Sequence, residues 1–285
     1  MTENQALRRL LLSCPDKPGL VAAVSGRLHE AGANIISLHE HAEPANGRFA
    51  MRVEFTLPAV SEAQLTSQLS ETFDSPQSTL TISDPQLLPR VAVLCSAEDH
   101  CASDLMWRFA RKEMPGRLKC LISTSHQLSQ VSAGDFVRFH HLPVASKSEM
   151  PLHEARLLEI LAGKVDLVVL ARYMRVLSDD FLQQLGCPAI NIHHSFLPAF
   201  KGAGPYQRAH ARGVKLIGAT AHYVTAELDE GPIIEQDVAR VSHRDSSEDL
   251  IRIGRDTERV VLARAVLAHL QDRVVRWGER TIVFS

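Results

Sequence analysis

VDLVVLARYMRVLSDDFLQQLGCPAINIHHSFLP, residues 165–198, decides the fold. Residues 165–171 form an apolar run of strand length, and runs of this kind belong to parallel strands covered on both faces. Residues 178–185 read as a helix and 189–193 as a second strand. Strand, helix and strand in this order make a βαβ unit, whose crossover leaves its two strands parallel.

The same alternation extends in both directions. Towards the amino terminus lie strands at 91–95, 118–123 and 139–144, an amphipathic stretch at 99–112 and a helix at 149–161. Towards the carboxyl terminus lie strands at 217–224 and 233–240 and a long helix at 247–271. The pattern predicts a Rossmann-like α/β fold, an open and mainly parallel sheet with helices on both faces, whose ligand sits beyond the carboxyl ends of the strands.

The first 80 or so residues read differently. An apolar run at 10–14 ends at Pro15-Asp16-Lys17-Pro18-Gly19, and Leu20, Val21, Val24 and Leu28 recur at helical spacing until Gly32. Strands at 34–41 and 49–57 flank a turn at 44–47, and a helix at 61–73 precedes a strand at 78–82. This βαββαβ order predicts a two-layer, ferredoxin-like α+β unit. Asp84-Pro85-Gln86-Leu87-Leu88-Pro89, with its two prolines, separates the units, so the expected domains are 1–84 and 85–285.

Composition narrows the function. Of 285 residues, 31 are Lys or Arg and 33 Asp or Glu, a formal charge of -2, so nothing in the total favours nucleic acid as a partner. No apolar run approaches the roughly 18–20 residues of a membrane span, and no leader pattern follows residues 1–9. The five cysteines, Cys14, Cys95, Cys101, Cys120 and Cys187, are scattered without C-x-x-C spacing, as free thiols in a reducing compartment would be. The expectation is a cytoplasmic protein.

The densest reactive run is Asn191-Ile192-His193-His194-Ser195-Phe196-Leu197-Pro198, at the carboxyl end of a strand. Strand alternation projects Asn191 and His193 to one side about 7 Å apart. An amide N–H donates to a carbonyl oxygen, and an imidazole donates to it or carries a proton; the same two side chains also suit plain satisfaction of loop backbone. Asp229, in Glu227-Leu228-Asp229-Glu230-Gly231-Pro232, reads either as a solvated turn former or as a carboxylate that orients His193 and a water. Gly202-Ala203-Gly204-Pro205 lacks the third glycine of a dinucleotide loop. The pairs His140-His141 and His193-His194 place neighbours on opposite faces with no further ligand at metal spacing, so no metal is expected. Ser195 lacks the context of a serine nucleophile.

The run 191–198, followed 31 residues after Pro198 by Asp229, resembles the core of the folate-dependent formyltransferase superfamily. Residues 170–178, LARYMRVLS, resemble its pterin-binding strand and loop, and 219–225, ATAHYVT, with 200–203 resemble its members that use water as acceptor. Residues 14–20 and 31–35 resemble an ACT domain, a module that often binds a small amino acid and pairs with copies of itself. An ACT unit ahead of such a catalytic domain is the architecture of those hydrolases. The resemblance implies hydrolysis of 10-formyltetrahydrofolate to formate and tetrahydrofolate, supplying formate for purine synthesis and recycling folate. The alternatives are transfer of the formyl group to an amine and a folate-binding regulator without activity.

The acceptor is the point of distinction. Glycinamide ribonucleotide formyltransferases hold a phosphate on a glycine-rich turn after their first strand. Here that turn is Cys95-Ser96-Ala97-Glu98-Asp99-His100-Cys101, without glycine and with two acids. Position 194 is His where the transferases usually have proline. Initiator-tRNA formyltransferases append a basic carboxyl-terminal domain, which the short stretch after the last helix here does not resemble.

By resemblance, Asn191, His193 and Asp229 are the catalytic residues: Asn191 donates to the forming oxyanion, His193 stabilises it or protonates the leaving nitrogen, and Asp229 orients His193 and helps deprotonate water. Met174, Arg175, Val176, Leu177, His194, Thr225, Glu227 and Leu228 form the expected substrate site, with His194 either shaping the water side or packing. No cofactor is implied, folate being substrate. Gly19, Leu20 and Asn34 are the expected positions of a small amino-acid effector such as glycine or methionine, unless the ACT unit only oligomerises. A homo-oligomer is expected.

Overall fold

The computed structural model describes residues 5–58, 62–129, 137–198 and 204–285. They fall into two units, Met1–Leu87 with Gln271–Ser285, and Leu88–Leu270.

The first unit contains β1 (Gln5–Pro15), α1 (Leu20–Glu30), β2 (Asn34–Glu43), β3 (Arg48–Pro58), α2 (Glu62–Thr72) and β4 (Thr79–Ser83). Its antiparallel sheet has the order β2-β3-β1-β4. β1 begins earlier than the apolar run at 10–14 suggests. Its two arginines are neutralised by neighbours, with Arg8 2.7 Å from Glu62 and 3.1 Å from Asp84, and Arg9 3.3 Å from Glu54. Alternation along the central strands explains the layers. Leu10, Leu12 and Cys14 of β1 and Phe49, Met51, Val53, Phe55 and Leu57 of β3 meet Leu20, Val24 and Leu28 of α1 and Leu65 and Leu69 of α2.

The other face of this sheet is also covered, and this revises the expected domain 85–285. A hairpin of β12 (Val274–Trp277) and β13 (Arg280–Val283) packs Val275, Trp277 and the following Phe284 on Ala50 of β3. The buried Arg52 guanidinium, on the same side of β3, donates to the carbonyls of Asp272 (2.9 Å) and Gln271 (3.2 Å). Apolar burial and a satisfied buried cation thus assign the tail to the first unit.

The second unit contains β5 (Arg90–Cys95), α3 (His100–Ala110), β6 (Arg117–Ser123), β7 (Arg138–His141), α4 (Met150–Leu161), β8 (Leu167–Leu170), α5 (Asp179–Leu185), β9 (Ala189–His193), α6 (Pro205–Arg212), β10 (Leu216–Tyr223), β11 (Ile233–Arg240) and α7 (Ser247–Leu270). The sheet order is β11-β10-β9-β8-β5-β6-β7. Strands β5 to β9 are mutually parallel, whereas β10 runs antiparallel to both β9 and β11. The chain moves outward from β5 through β6 to β7 and returns to β8 on the other side of β5. Right-handed crossovers therefore put α3 on one face and α4 and α5 on the other. Leu157 and Leu161 of α4 and Phe181 and Leu185 of α5 bury against Ala92, Leu94, Ile122 and Val168. The reversal beside β5 opens a crevice at the carboxyl ends of the strands. No helix among the described residues is long and apolar enough to cross a membrane.

Candidate active site

The loop after β8 forms one wall of the cleft. Its backbone turns at Arg172, which has a positive φ of 61°. Ser96, just beyond β5, holds it there: its N–H donates to Arg172 O (3.2 Å) and its hydroxyl accepts from Met174 N–H (3.0 Å). Further along, Arg175 donates to Val144 O (3.0 Å), and Ser178 donates through both its N–H and its hydroxyl to Glu154 at 2.7 Å. The loop is thus tied to Ser96, to the segment between β7 and α4 and to α4 itself, and Met174 and Val176 are exposed apolar side chains on it.

The reactive groups stand opposite. In the antiparallel pairing of β9 with β10, Asn191 lies across from His222 and His193 across from Thr220, so all four side chains share a face. Asn191 Nδ2 is 3.3 Å from His222 Nε2, while His222 Nδ1 donates to Tyr223 O at 2.9 Å. With one His222 proton on Nδ1 facing the Tyr223 carbonyl, Nε2 can accept one Asn191 N–H and leave the other for the cleft. Thr220 accepts from Leu197 N–H (3.0 Å) and donates to Ser195 O (2.9 Å), which folds the chain back immediately after β9.

Asp229 reaches this cluster from the turn before β11. It too has a positive φ, 57°, a conformation that Asp tolerates better than most residues. Gly231 permits the turn: a β-carbon there would lie 1.7 Å from Tyr223 O. Asp229 Oδ2 is 3.2 Å from His193 Nδ1, and Oδ1 is 3.7 Å from His222 Nε2. The hydrogen bond that His193 Nδ1 donates holds the Asp229 carboxyl far below the usual carboxylate range. Asp229 is therefore ionised at neutral pH. His193 Nε2, buried and without a hydrogen-bond partner among the described residues, is left towards the cleft. An unmet buried group of this kind costs about 1–3 kcal/mol, which a bound partner returns.

Asn191, His193, His194, Asp229, Met174, Arg175, Val176, Leu177, Thr225, Glu227 and Leu228 all line one cleft of about 280 Å³. One expectation is revised. His193 and His194 do not diverge to opposite faces; the strand ends at His193, the Thr220-held turn follows, and the rings lie 5.3 Å apart on the same cleft. Arg172 and Tyr173, within the stretch resembling a pterin-binding loop but not singled out, and His222 line it too. For His222 the only sequence signal is a histidine within 219–225, since its place opposite Asn191 depends on strand pairing. The effector positions lie in the first unit. Gly19 precedes α1 and Asn34 opens β2, both exposed, whereas Leu20 is a core residue. Leu20 can offer a ligand its backbone alone. Gly202 and Ala203, and the stretch 200–203, lie outside the described residues.

A mainly parallel α/β unit with an amide, an imidazole and a carboxylate at the strand ends is the arrangement of a formyl-transferring enzyme. Residues 89–266 match the formyl transferase family, and residues 8–63 match the ACT domain. A formyltetrahydrofolate deformylase of Mycobacterium tuberculosis (strain H37Rv) is 52% identical over 283 residues, spanning 97% of this chain and 90% of that protein. One from Synechocystis sp. (strain PCC 6803) is 47% identical over 278 residues, with 97% and 98% covered. The crystal structure of a formyltetrahydrofolate deformylase from Pseudomonas syringae pv. tomato superposes with a TM-score of 0.92 at 41% identity, covering 100% of this chain and 96% of that one. The chain belongs to the formyltetrahydrofolate deformylase family.

Proposed function

We propose that this chain hydrolyses 10-formyltetrahydrofolate to formate and tetrahydrofolate. The observation that carries the reading is the convergence of Asn191, His193 and Asp229 on one cleft, in a chain similar over nearly its whole length to deformylases. Water adds to the formyl carbon, the bond from that carbon to N10 breaks, one water proton ends on N10 and the other leaves as formic acid ionises.

The free Asn191 N–H meets the formyl oxygen as it gains charge, an interaction worth about 100- to 1,000-fold in rate. With Asp229 holding the proton on Nδ1, His193 Nε2 is the acceptor for the water proton and then its donor to N10. The unmet His193 Nε2 in the cleft supports His193 rather than Asp229 as the base. Asp229 acts by charge, steadying the imidazolium that forms. Met174, Val176 and Leu228 supply an apolar rim for the flat pterin, and the backbone of 225–229 meets its polar edge. No metal or nucleotide enters this scheme.

The ACT unit is read as a regulatory and self-pairing module for a small amino acid near Gly19 and Asn34, and the compartment as the cytoplasm, in keeping with five free thiols. Formate released there serves purine synthesis while folate is recycled. Calorimetry with glycine and methionine, alongside rates with each, tests the effector; no heat and no rate change would remove it.

The decisive experiment measures formate and tetrahydrofolate from purified protein and 10-formyltetrahydrofolate without any amine. Equal release of both, lost in Asp229→Asn, is expected. Binding without turnover until an amine is added would overturn hydrolysis in favour of transfer.

A further inference from the structure

Behind His194 lies a buried ionic cluster that the reaction scheme above does not use. Glu258 of α7 is 1% exposed. Its Oε1 accepts from Tyr206 OH of α6 at 2.5 Å, and its Oε2 accepts from His100 Nε2 of α3 at 2.8 Å and lies 3.4 Å from Arg172 Nε. Burial alone would raise the Glu258 carboxyl, but the His100 hydrogen bond, the Arg172 charge and the Tyr206 hydroxyl hold it below its ordinary value. A carboxylate taken this far from water is seldom a gain in stability over an apolar residue of the same size. Its retention calls for another use.

Two features tie the cluster to the cleft. Helix α7 carries Gly254 one turn before Glu258, and a β-carbon there would lie 2.1 Å from Tyr206 OH. The glycine leaves the notch that lets Tyr206 reach the carboxylate. The Tyr206 ring meets His194 edge-on at 6.1 Å between centroids, and Arg172, paired with the same carboxylate at 3.4 Å, lines the same cleft. His194 is 9% exposed and its Nδ1 has no hydrogen-bond partner among the described residues.

His100, Cys101 and Glu258 also have the side-chain types of a metal site, with ligand atoms within 4.8 Å of one another. The Arg172 guanidinium already supplies the positive charge there, both Glu258 oxygens are occupied, and burial pushes the Cys101 thiol well above its ordinary value, away from the thiolate that a metal takes. The cluster is a clamp on neighbouring side chains.

We propose that Glu258 is a positioning residue for hydrolysis: through Tyr206 it fixes the His194 ring, so that His194 Nδ1 and His193 Nε2 together hold the attacking water. The two nitrogens belong to rings 5.3 Å apart, both residues line the cleft, and neither nitrogen has a hydrogen-bond partner among the described residues. His194 is then a catalytic residue that touches the nucleophile, and Glu258 acts through it.

The proposal rests on the hydrolytic reading, and the test separates the two. Wild type, Glu258→Gln, Tyr206→Phe, His194→Ala and the doubles Glu258→Gln/His194→Ala and Tyr206→Phe/His194→Ala are assayed for formate release, with tetrahydrofolate affinity and circular dichroism on each. Glu258→Gln and Tyr206→Phe should lower kcat by about 10- to 100-fold with KM and tetrahydrofolate affinity within about threefold, the signature of an interaction used in the transition state. Each double should be no slower than His194→Ala alone, because the effects run through one ring. Losses that multiply in the doubles, or an unchanged kcat in the singles, overturn the proposal while hydrolysis stands. An inactive wild type overturns the hydrolytic reading itself. Should Glu258→Gln fail to fold, Tyr206→Phe, which removes one hydroxyl, reads the same coupling.

Discussion

Replacing Asp229 by Asn tests the arrangement most directly. The substitution keeps the side-chain shape and suits the left-handed backbone at φ 57°. It exchanges a group that only accepts for one that also donates. In the native site Oδ2 lies 3.2 Å from His193 Nδ1, so the proton stays on Nδ1 and Nε2 is the acceptor. An amide N–H turned towards Nδ1 moves the ring proton to Nε2, and the water loses its base. Loss of a general base costs about 100- to 10,000-fold, with the wrong tautomer at the upper end. Asp229 is 14% exposed, so some water-mediated substitution remains, and a fall of about 1,000-fold in kcat is expected, or about 4 kcal/mol at 1.36 kcal/mol per decade. KM should move less than about threefold, since Asp229 acts on His193 rather than on bound folate. Initial rates of formate and tetrahydrofolate release at saturating substrate measure both. A variant keeping more than about a tenth of the native kcat would refute the reasoning, since that residue would then contribute about 1.4 kcal/mol or less.

The same carboxyl sets a pH expectation. Because its folded pKa is depressed, Asp229 contributes stability that is full above the unfolded value, about 3.9, and is lost only as pH falls through the lower folded value. Unfolding titrations of wild type and Asp229→Asn should therefore converge as pH falls below the unfolded value; a difference that widened in acid would contradict the assignment. Asn191→Ala should lower kcat by about 100- to 1,000-fold with little change in KM, the signature of a lost oxyanion donor, as read from initial rates. Gly254→Ala should lower the thermal midpoint despite the better helix propensity of Ala, because displacing Tyr206 costs about 1–3 kcal/mol against a gain near 1. Trp277→Ala should destabilise the first unit by about 3–5 kcal/mol, as a large aromatic lost from a core does, with thermal melts as the measure.

Much of this was legible in the chain because local periodicity carries it. The apolar run at 165–171 and the alternation in 189–193 announce buried and end-exposed strands without any knowledge of neighbours. The motif at 191–198 and Asp229 name the chemistry through side-chain types and order. The start of β1 was less visible, since Arg8 and Arg9 break its apolar pattern and only their partners Glu62, Asp84 and Glu54 make them acceptable in a strand. The assignment of the tail to the first unit was hidden for a similar reason. Trp277 and Phe284 are apolar in any context, and only the sheet face with Ala50 and Arg52 decides where they bury.

The two fold types and the place of the reactive run at the end of a strand follow from spacing along one chain, while the set Asn191, His193 and Asp229 was picked out through a resemblance carried by local motifs. Tertiary structure alone decided that His222 faces Asn191, that the neighbouring rings of His193 and His194 share a cleft, and that Glu258 stands behind them. Each depends on contacts between residues distant in sequence, across the β9–β10 register or from α7 to α6. Burial then turns those contacts into chemistry by removing the water that would otherwise satisfy the same groups.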